Sequence, residues 1–326
     1  MKRPTHAVCR MVLVTCAAFC TLPAVAQQYP NKPVRVIVPF GAGGPADIYA
    51  RYISQRLSES MGQQFIVDDR PGAGSLIGTE LVQKSPPDGY TLLMMSNTHT
   101  VNESLVPKKP FTLMKDFVGI APVNYSDLLL VVHPTVPVKN VKELIALAKS
   151  RPKGMNYASS GTGTPYHMAG ELFKAMAHVD IIHVPHKSSG DARTSVMSGQ
   201  VEMMMDAITT MAPLARAARV RAIATTGLKR SSVMPEVPTV AESGVPGYEA
   251  TIWLGLMAPT GTPQPIVERL NAEVNKILKR PDLKRAWNEQ GAEPMIMSPA
   301  EFEKYLNQDI AKWAKIVKIS GARPEQ

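Results

Sequence analysis

The sequence predicts an α/β fold of two lobes joined by a hinge of two crossings, with a ligand cleft between the lobes. Three observations predict it. Short apolar runs alternate with helical patterns from Val34 to Thr226. Glycine-rich turns recur where a strand pattern gives way to a helix pattern. A Pro/Gly-rich stretch, Pro235 to Gly247, then separates this middle from a last strand and a helical tail.

The elements follow in order. Val34–Pro39 is a β-branched run and reads as a buried strand. A helix follows the turn at Gly41–Pro45, with Ala46, Ala50, Ile53, Leu57 and Met61 on one face. Gln64–Asp68 is a second strand, ending in Pro71-Gly72-Ala73-Gly74 and a helix to about Lys84; Tyr90–Met95 is a third. Strands at Leu128–His133, Met155–Ala158, Ile181–Val184, Val201–Asp206 and Ala222–Thr226 continue the rhythm. Helices fall between them at Val141–Lys149, Pro165–Ala177, Asp191–Met197 and Thr209–Ala217. Thr251–Ala258 is a last strand, followed by helices near Pro263–Leu278, Pro281–Gln290 and Pro299–Ile319. Such a rhythm predicts a mostly parallel sheet covered by helices. Residues 27–125 plus 250–326 are expected to form one lobe and residues 126–249 the other. The crossings are expected near Asn124–Asp127 and Tyr248–Thr251.

Residues 1–26 read as a secretory signal. Lys2, Arg3 and Arg10 form a basic start, an apolar run extends from Met11 to about Leu22, and Ala24-Val25-Ala26 supplies a small-x-small cleavage site. The run is shorter than the ~20 residues of a membrane span. Lipid attachment at Cys16 or Cys20 fits less well, because Thr15 and Phe19 precede them. All three cysteines (Cys9, Cys16, Cys20) lie in this segment, so cleavage leaves neither a disulfide nor a cysteine metal site. The expected location is the periplasm. Cleavage also removes three basic residues and no acid, lowering the formal charge from +9 to +6. The remaining Lys and Arg are scattered, and no basic block interleaved with aromatics suggests nucleic acid.

The most informative local feature is Pro39-Phe40-Gly41-Ala42-Gly43-Gly44-Pro45-Ala46-Asp47, between a strand and a helix. Glycines let backbone N–H groups turn toward a ligand, and the helix N-terminus adds partial positive charge, which suits a carboxylate. The spacing matches neither a dinucleotide fingerprint nor a P-loop. A second such loop is Ser159-Ser160-Gly161-Thr162-Gly163-Thr164-Pro165, with Thr164 an N-cap and Pro165 the first helical residue. One anion-friendly loop in each lobe would grip the two ends of a dicarboxylate. A third polar loop, Ser96-Asn97-Thr98-His99, follows a strand. Asp47, Asp206, His167 and Lys187 are further candidates to face a ligand; a helix-dipole contact, a helix cap, a capping histidine and a solvated lysine are the plainer readings of each. No Gly-x-Ser-x-Gly elbow, His-Glu-x-x-His or third ligand beside His183 and His186 is present, so neither catalysis nor a metal is expected.

At the level of longer motifs the chain resembles the Bug solute receptors, the extracytoplasmic binding proteins of tripartite tricarboxylate transporters. The resemblance covers essentially all of the chain after residue 26. It is carried by Tyr29-Pro-Asn-Lys-Pro-Val-Arg, Val38-Pro-Phe-Gly-Ala-Gly-Gly, Asp69-Arg-Pro-Gly-Ala-Gly and Pro87-Asp-Gly-Tyr-Thr-Leu. It continues through Tyr157-Ala-Ser-Ser-Gly-Thr-Gly-Thr, Ala169-Gly-Glu-Leu-Phe and Pro238-Thr-Val-Ala-Glu-Ser-Gly, and ends with Trp253-Leu-Gly-Leu and Ala258-Pro-Thr-Gly-Thr-Pro.

The resemblance implies a type II periplasmic-binding-protein fold that closes on its ligand and performs no chemistry. By matched motif it implies a site built from Phe40, Gly41, Ala42, Gly43, Gly44 and Asp47 in one lobe, with Ser96 and Thr98 nearby. Ser160, Gly161, Thr162, Gly163, Thr164 and His167 would face them from the other lobe, with Asp206 a further candidate. No cofactor or metal is implied. The expected partners are a small carboxylate and the large and small membrane subunits of a transporter, with the receptor itself a monomer. Relatives often carry Pro-Gly-Gly-Ser/Thr-Asp and Val-Pro-Tyr-Lys-Gly, where this chain has Pro45-Ala46-Asp47 and Val184-Pro-His186-Lys187-Ser188. An aromatic dicarboxylate such as terephthalate or phthalate is the favoured ligand. Citrate, an aliphatic dicarboxylate or an amino acid is the alternative, as is a sensor role presenting ligand to a membrane kinase.

Overall fold

The protein is seen in a computed structural model that describes residues 29–151 and 154–324. The expected signal segment and its three cysteines lie outside the described residues. Among the described residues no helix is long and apolar enough to cross a membrane.

The first lobe opens with β1 (Val34–Val38), α1 (Pro45–Met61) and β2 (Phe65–Asp69). A 3₁₀ turn at Ala73–Ser75 leads into α2 (Leu76–Gln83), followed by β3 (Thr91–Ser96), α3 (Asn97–Leu105) and the one-turn α4 (Leu113–Asp116). β4 (Phe117–Val132) then carries the chain into the second lobe. There α5 (Val141–Ser150), β5 (Asn156–Ser159), α6 (Pro165–Ala177), β6 (Ile182–Pro185), α7 (Ser189–Met197), β7 (Met203–Ala207), α8 (Ile208–Arg216) and β8 (Arg221–Thr225) alternate. The chain returns through β9 (Thr251–Pro259) to α9 (Gln264–Leu278), α10 (Pro281–Asn288), β10 (Ala292–Pro294) and the long α11 (Pro299–Ser320).

The sheet runs β2-β1-β3-β9-β4-β7-β5-β6, with β8 and β10 also on β4. It is mixed, not mostly parallel. β1 pairs in parallel with β2 and β3, and β5 with β6 and β7, but every pair made by β4 or β9 is antiparallel. These two strands carry the chain to and from the second lobe in opposite directions, so they cannot run parallel to each other.

Both faces of the sheet are covered, and strand periodicity sorts the side chains. Val34, Val36 and Val38 enter one core of the first lobe, while Ile37 enters the core on the opposite face. In the second lobe Leu128, Leu130 and Val132 face one core, and Leu129 and Val131 face the other. Full burial on both faces explains why these segments read as continuous apolar runs.

β4 passes from the first half of the sheet to the second between Asp127, which pairs with Thr251, and Leu128, which pairs with Ala207. Thr226, fully buried, ties the crossings together. Its Oγ1 donates to Ala250 O (2.5 Å) and accepts from Leu128 N–H (2.8 Å). The sequence pattern found only the second half of β4. Pro122 argues against a strand, and here it is absorbed by register shifts on either side of Ala121–Pro122.

A third contact between the lobes comes from α11. Trp313 and Ile316 pack with Val101 and Leu105 of α3 and with Met168 of α6.

Candidate functional site

The first glycine loop spans Pro39 to Gly44, between the end of β1 and the proline that opens α1. It lies beyond the carboxyl end of a central strand, where open α/β sheets bind ligands. Gly43 takes φ +74°, a conformation that favours glycine. Its N–H donates to Asp47 Oδ2 (2.8 Å), while Asp47 Oδ1 pairs with Arg51 Nε (2.5 Å). Arg51 also reaches Asp69 (2.9 Å). The Asp47 carboxylate therefore shapes the loop from behind and does not line the cavity described below.

The second loop, Ser160 to Thr164, links β5 to α6 in the same way. Gly161 and Gly163 take φ of +117° and +80°. Thr164 caps α6 by accepting from His167 N–H, and its hydroxyl donates to Gly161 O (2.7 Å). His167 sits behind the loop, where its Nδ1 accepts from Gly163 N–H (3.1 Å). The ring of His183 lies 4.1 Å from that of His167, and its Nε2 meets Ser159 Oγ at 2.6 Å. Burial lowers both histidines, His167 to about 4 and His183 to about 3, so they are neutral supports of the loop.

The expected third loop is a helix. α3 begins at Asn97 with Ser96 as its cap: Ser96 Oγ accepts from Thr98 N–H (3.2 Å) and His99 Nδ1 accepts from Ser96 N–H (3.2 Å). Ser96 lines the cavity; Thr98 is wholly buried and does not. No long apolar stripe marks this helix, because polar side chains take most of its buried positions, with Val101 and Leu105 the apolar ones. Thr100 donates to Asp309 (2.6 Å), Asn97 to Thr251 O (2.9 Å) and Asn102 to Gly74 O (3.0 Å).

Asp206 is also held back from the cavity. Its Oδ1 accepts from Ala207 N–H (2.7 Å), and Arg193 Nε lies 3.4 Å from Oδ2. Burial raises Asp206 to about 6 against the pull of Arg193 and the Ala207 N–H. Arg193 in turn donates to Ser189 O (3.1 Å) and, across the cleft, to Gly43 O (3.5 Å).

Between the lobes is a cavity of 670 Å³. Of the expected site residues, Phe40, Gly41, Gly44, Ser96, Ser160, Gly161, Thr162 and Thr164 line it. Ala42, Gly43, Asp47, Thr98, Gly163, His167 and Asp206 do not. Lys187, a further candidate, also lines it as part of Pro185–Ser189; the rest of that segment and Pro71–Leu76 were not expected. Pro71–Leu76 repeats the strand–glycine turn–helix pattern of the two loops, which is the signal that could have found it.

The cavity brings five helix N-termini together. Residues at the start of α1 (Gly44, Pro45), α2 (Ser75, Leu76), α3 (Ser96), α6 (Thr164, Pro165) and α7 (Ser188, Ser189) all line it. Unpaired N–H groups and helix dipoles there favour negative charge. Among the described residues that line it, Lys187 is the one Lys or Arg, and no Asp or Glu is present. Leu76, Leu105, Val106, Ile252 and Leu254 supply an apolar portion. The lobes meet around it closely enough that a methyl group on Gly41 would stand 3.1 Å from Ser188 Cβ.

Comparison with known proteins gives this geometry a family. The family described as "Tripartite tricarboxylate transporter family receptor" (TctC) matches residues 49–322. This chain belongs to that family. Three solved structures are similar to it over all of their own length. The Rhodopseudomonas palustris protein Rpa4515 with adipate is 36% identical, with a TM-score of 0.88 over 91% of this chain. The periplasmic binding protein BugD is 30% identical, with a TM-score of 0.86 over 91%. MatC from Rhodopseudomonas palustris with bound malate is 31% identical, with a TM-score of 0.84 over 89%. The chain is thus a Bug-type solute-binding receptor of two-lobed periplasmic-binding-protein fold, not an enzyme.

Proposed function

We propose that this receptor closes on a small dicarboxylate with an apolar spacer and delivers it to the membrane subunits of a tripartite tricarboxylate transporter. The observation that carries this reading is the cavity itself. Five helix N-termini and one lysine surround it, with no acidic side chain in its lining. Backbone N–H groups, the hydroxyl of Ser160, and Lys187 would hold carboxylate oxygens. Leu76, Leu105, Val106, Ile252 and Leu254 would cover the carbon chain. Residues 29–125 with 250–324 and residues 126–249 are proposed to move as the two bodies, bending at Asp127–Leu128 and near Ala250.

An adipate-like aliphatic diacid ranks first among the ligands, because Rpa4515 was solved with adipate and MatC with malate. Terephthalate and phthalate are the second reading, favoured by Phe40 and Tyr166 in the lining. A signal segment at residues 1–26 would place the receptor in the periplasm.

A thermal-shift screen tests this, because a ligand bound only by the folded state raises apparent stability by mass action. The panel is adipate, malate, citrate, terephthalate, phthalate, hexanoate and the diamine cadaverine, each at millimolar concentration. A rise in melting temperature with a diacid and none with cadaverine is expected. No shift with any acid, or a shift with the diamine, overturns the reading.

A further inference from the structure

The turn at Gly72-Ala73-Gly74-Ser75 has four successive residues with positive φ: +134°, +47°, +61° and +78°. Glycine adopts such angles freely; alanine and serine do so only under constraint. The structure supplies the constraint. His99 Nε2 lies 2.9 Å from Thr79 Oγ1, and the Thr79 hydroxyl donates to Ser75 O (2.8 Å). Because the Thr79 hydroxyl donates to Ser75 O, Thr79 Oγ1 accepts from His99 Nε2–H, while His99 Nδ1 lies against Ser96 N–H (3.2 Å) and Ser96 O (3.1 Å). Asn102 Nδ2 donates to Gly74 O (3.0 Å) from the other side. A buried network therefore pins the turn, and part of that network is the helix cap that sets Ser96 at the cavity.

Ser75 is the residue at which this constraint is hardest to explain by packing. It is the N-cap of α2 yet makes no side-chain cap hydrogen bond. It is 3% exposed, it lines the cavity, and its Oγ has no hydrogen-bond partner within the protein. A serine hydroxyl that neither caps its helix nor pairs with the chain, held in a glycine-like conformation against a ligand cavity, has one remaining use there.

We infer that Ser75 is a specificity-determining residue whose hydroxyl donates to a carboxylate oxygen of the bound diacid. This rests on the receptor reading above. The constrained backbone places Ser75 Cβ at the cavity wall before the ligand arrives, and a hydrogen bond to a charged oxygen is the strong kind.

Isothermal titration of adipate into wild type, Ser75→Ala and Ser75→Gly tests the inference. Ser75→Ala removes only the hydroxyl; Ser75→Gly removes the hydroxyl and relieves the backbone. Roughly ten-fold or greater weakening in both variants is expected, as for a hydrogen bond to a charged group. The melting temperature of unliganded Ser75→Gly is expected to equal or exceed that of Ser75→Ala, since glycine fits φ +78°. Affinity within two-fold of wild type in either variant, or weakening in Ser75→Gly alone, overturns the role of the hydroxyl. Wild-type protein that binds neither adipate nor any other acid of the panel overturns the receptor reading, and this inference with it.

Discussion

Gly41→Ala is a clean probe of closure. Gly41 is not among the residues of positive φ, so alanine fits its backbone without strain. Its added Cβ would stand 3.1 Å from Ser188 Cβ and 3.9 Å from Ser188 Cα, and would meet nothing else within 4 Å. Carbon pairs are comfortable at about 3.5–4.0 Å, so the cleft would have to open by several tenths of an ångström at this point. Overpacking of this kind costs about 1–2 kcal/mol. Gly41 belongs to the first lobe's loop and Ser188 caps α7 in the second, so the cost falls on conformations in which these two loops meet, which the proposed closure on ligand requires. The expected result is adipate binding weakened roughly 5- to 30-fold, with the unliganded melting temperature little changed. Ser188→Gly removes the opposing Cβ at a helix-capping cost of only a few tenths of a kcal/mol. The double variant should therefore recover most of the affinity. Titration calorimetry on the four proteins gives the coupling energy. Affinity of Gly41→Ala within two-fold of wild type, or no recovery in the double variant, would refute the closure argument.

Two further predictions concern stability. His99 is wholly buried, and that burial lowers its pKa from 6.5 to about 4. The unfolded chain takes up a proton as pH falls below 6.5 and the folded chain does not, so the stability this group contributes above pH 6.5 is lost progressively down to about pH 4. A shift of this size corresponds to about 3 kcal/mol. His99→Asn should be less stable than wild type in urea at neutral pH, and that gap should narrow by about 3 kcal/mol near pH 4; a constant gap contradicts the assignment. Thr226→Val keeps the shape of the hinge residue but leaves Leu128 N–H without the Thr226 hydroxyl. Urea titration should show a loss of about 1–3 kcal/mol, and a loss below about 0.5 kcal/mol would show that water replaces the bonds.

Much of the fold was legible in the sequence where burial imposes a simple period. Val34–Val38 and its helix, or Leu128–Val132, need only apolar residues at spacing two or a single helical face. α3 was not legible, because most of its buried residues are polar (Asn97, Thr98, His99, Thr100 and Asn102), with only Val101 and Leu105 apolar. What stabilises that helix is distant in sequence: Thr100 meets Asp309, and Asn97 meets Thr251. The first half of β4 was hidden by Pro122, whose place in the strand depends on register shifts against β9.

The candidate site divides in the same way. Glycines between a strand and a helix are a local signal, and they drew attention to Phe40–Gly44 and Ser160–Thr164. Which side chain faces the cavity is not local. Asp47 turns to Gly43 and Arg51, His167 to Gly163, and Asp206 to Ala207 and Arg193. Conversely, Ser75 and Leu76 reach the cavity through four left-handed residues that the motif Pro71-Gly72-Ala73-Gly74 announces only as a turn.

The receptor reading is tested most directly by isothermal titration of the purified protein with adipate, followed by chromatography of the released ligand. Saturable one-to-one binding with the acid recovered unchanged is the predicted result. Absence of binding at millimolar concentration for adipate and for every other acid of the panel, or recovery of a chemically altered acid, would contradict it.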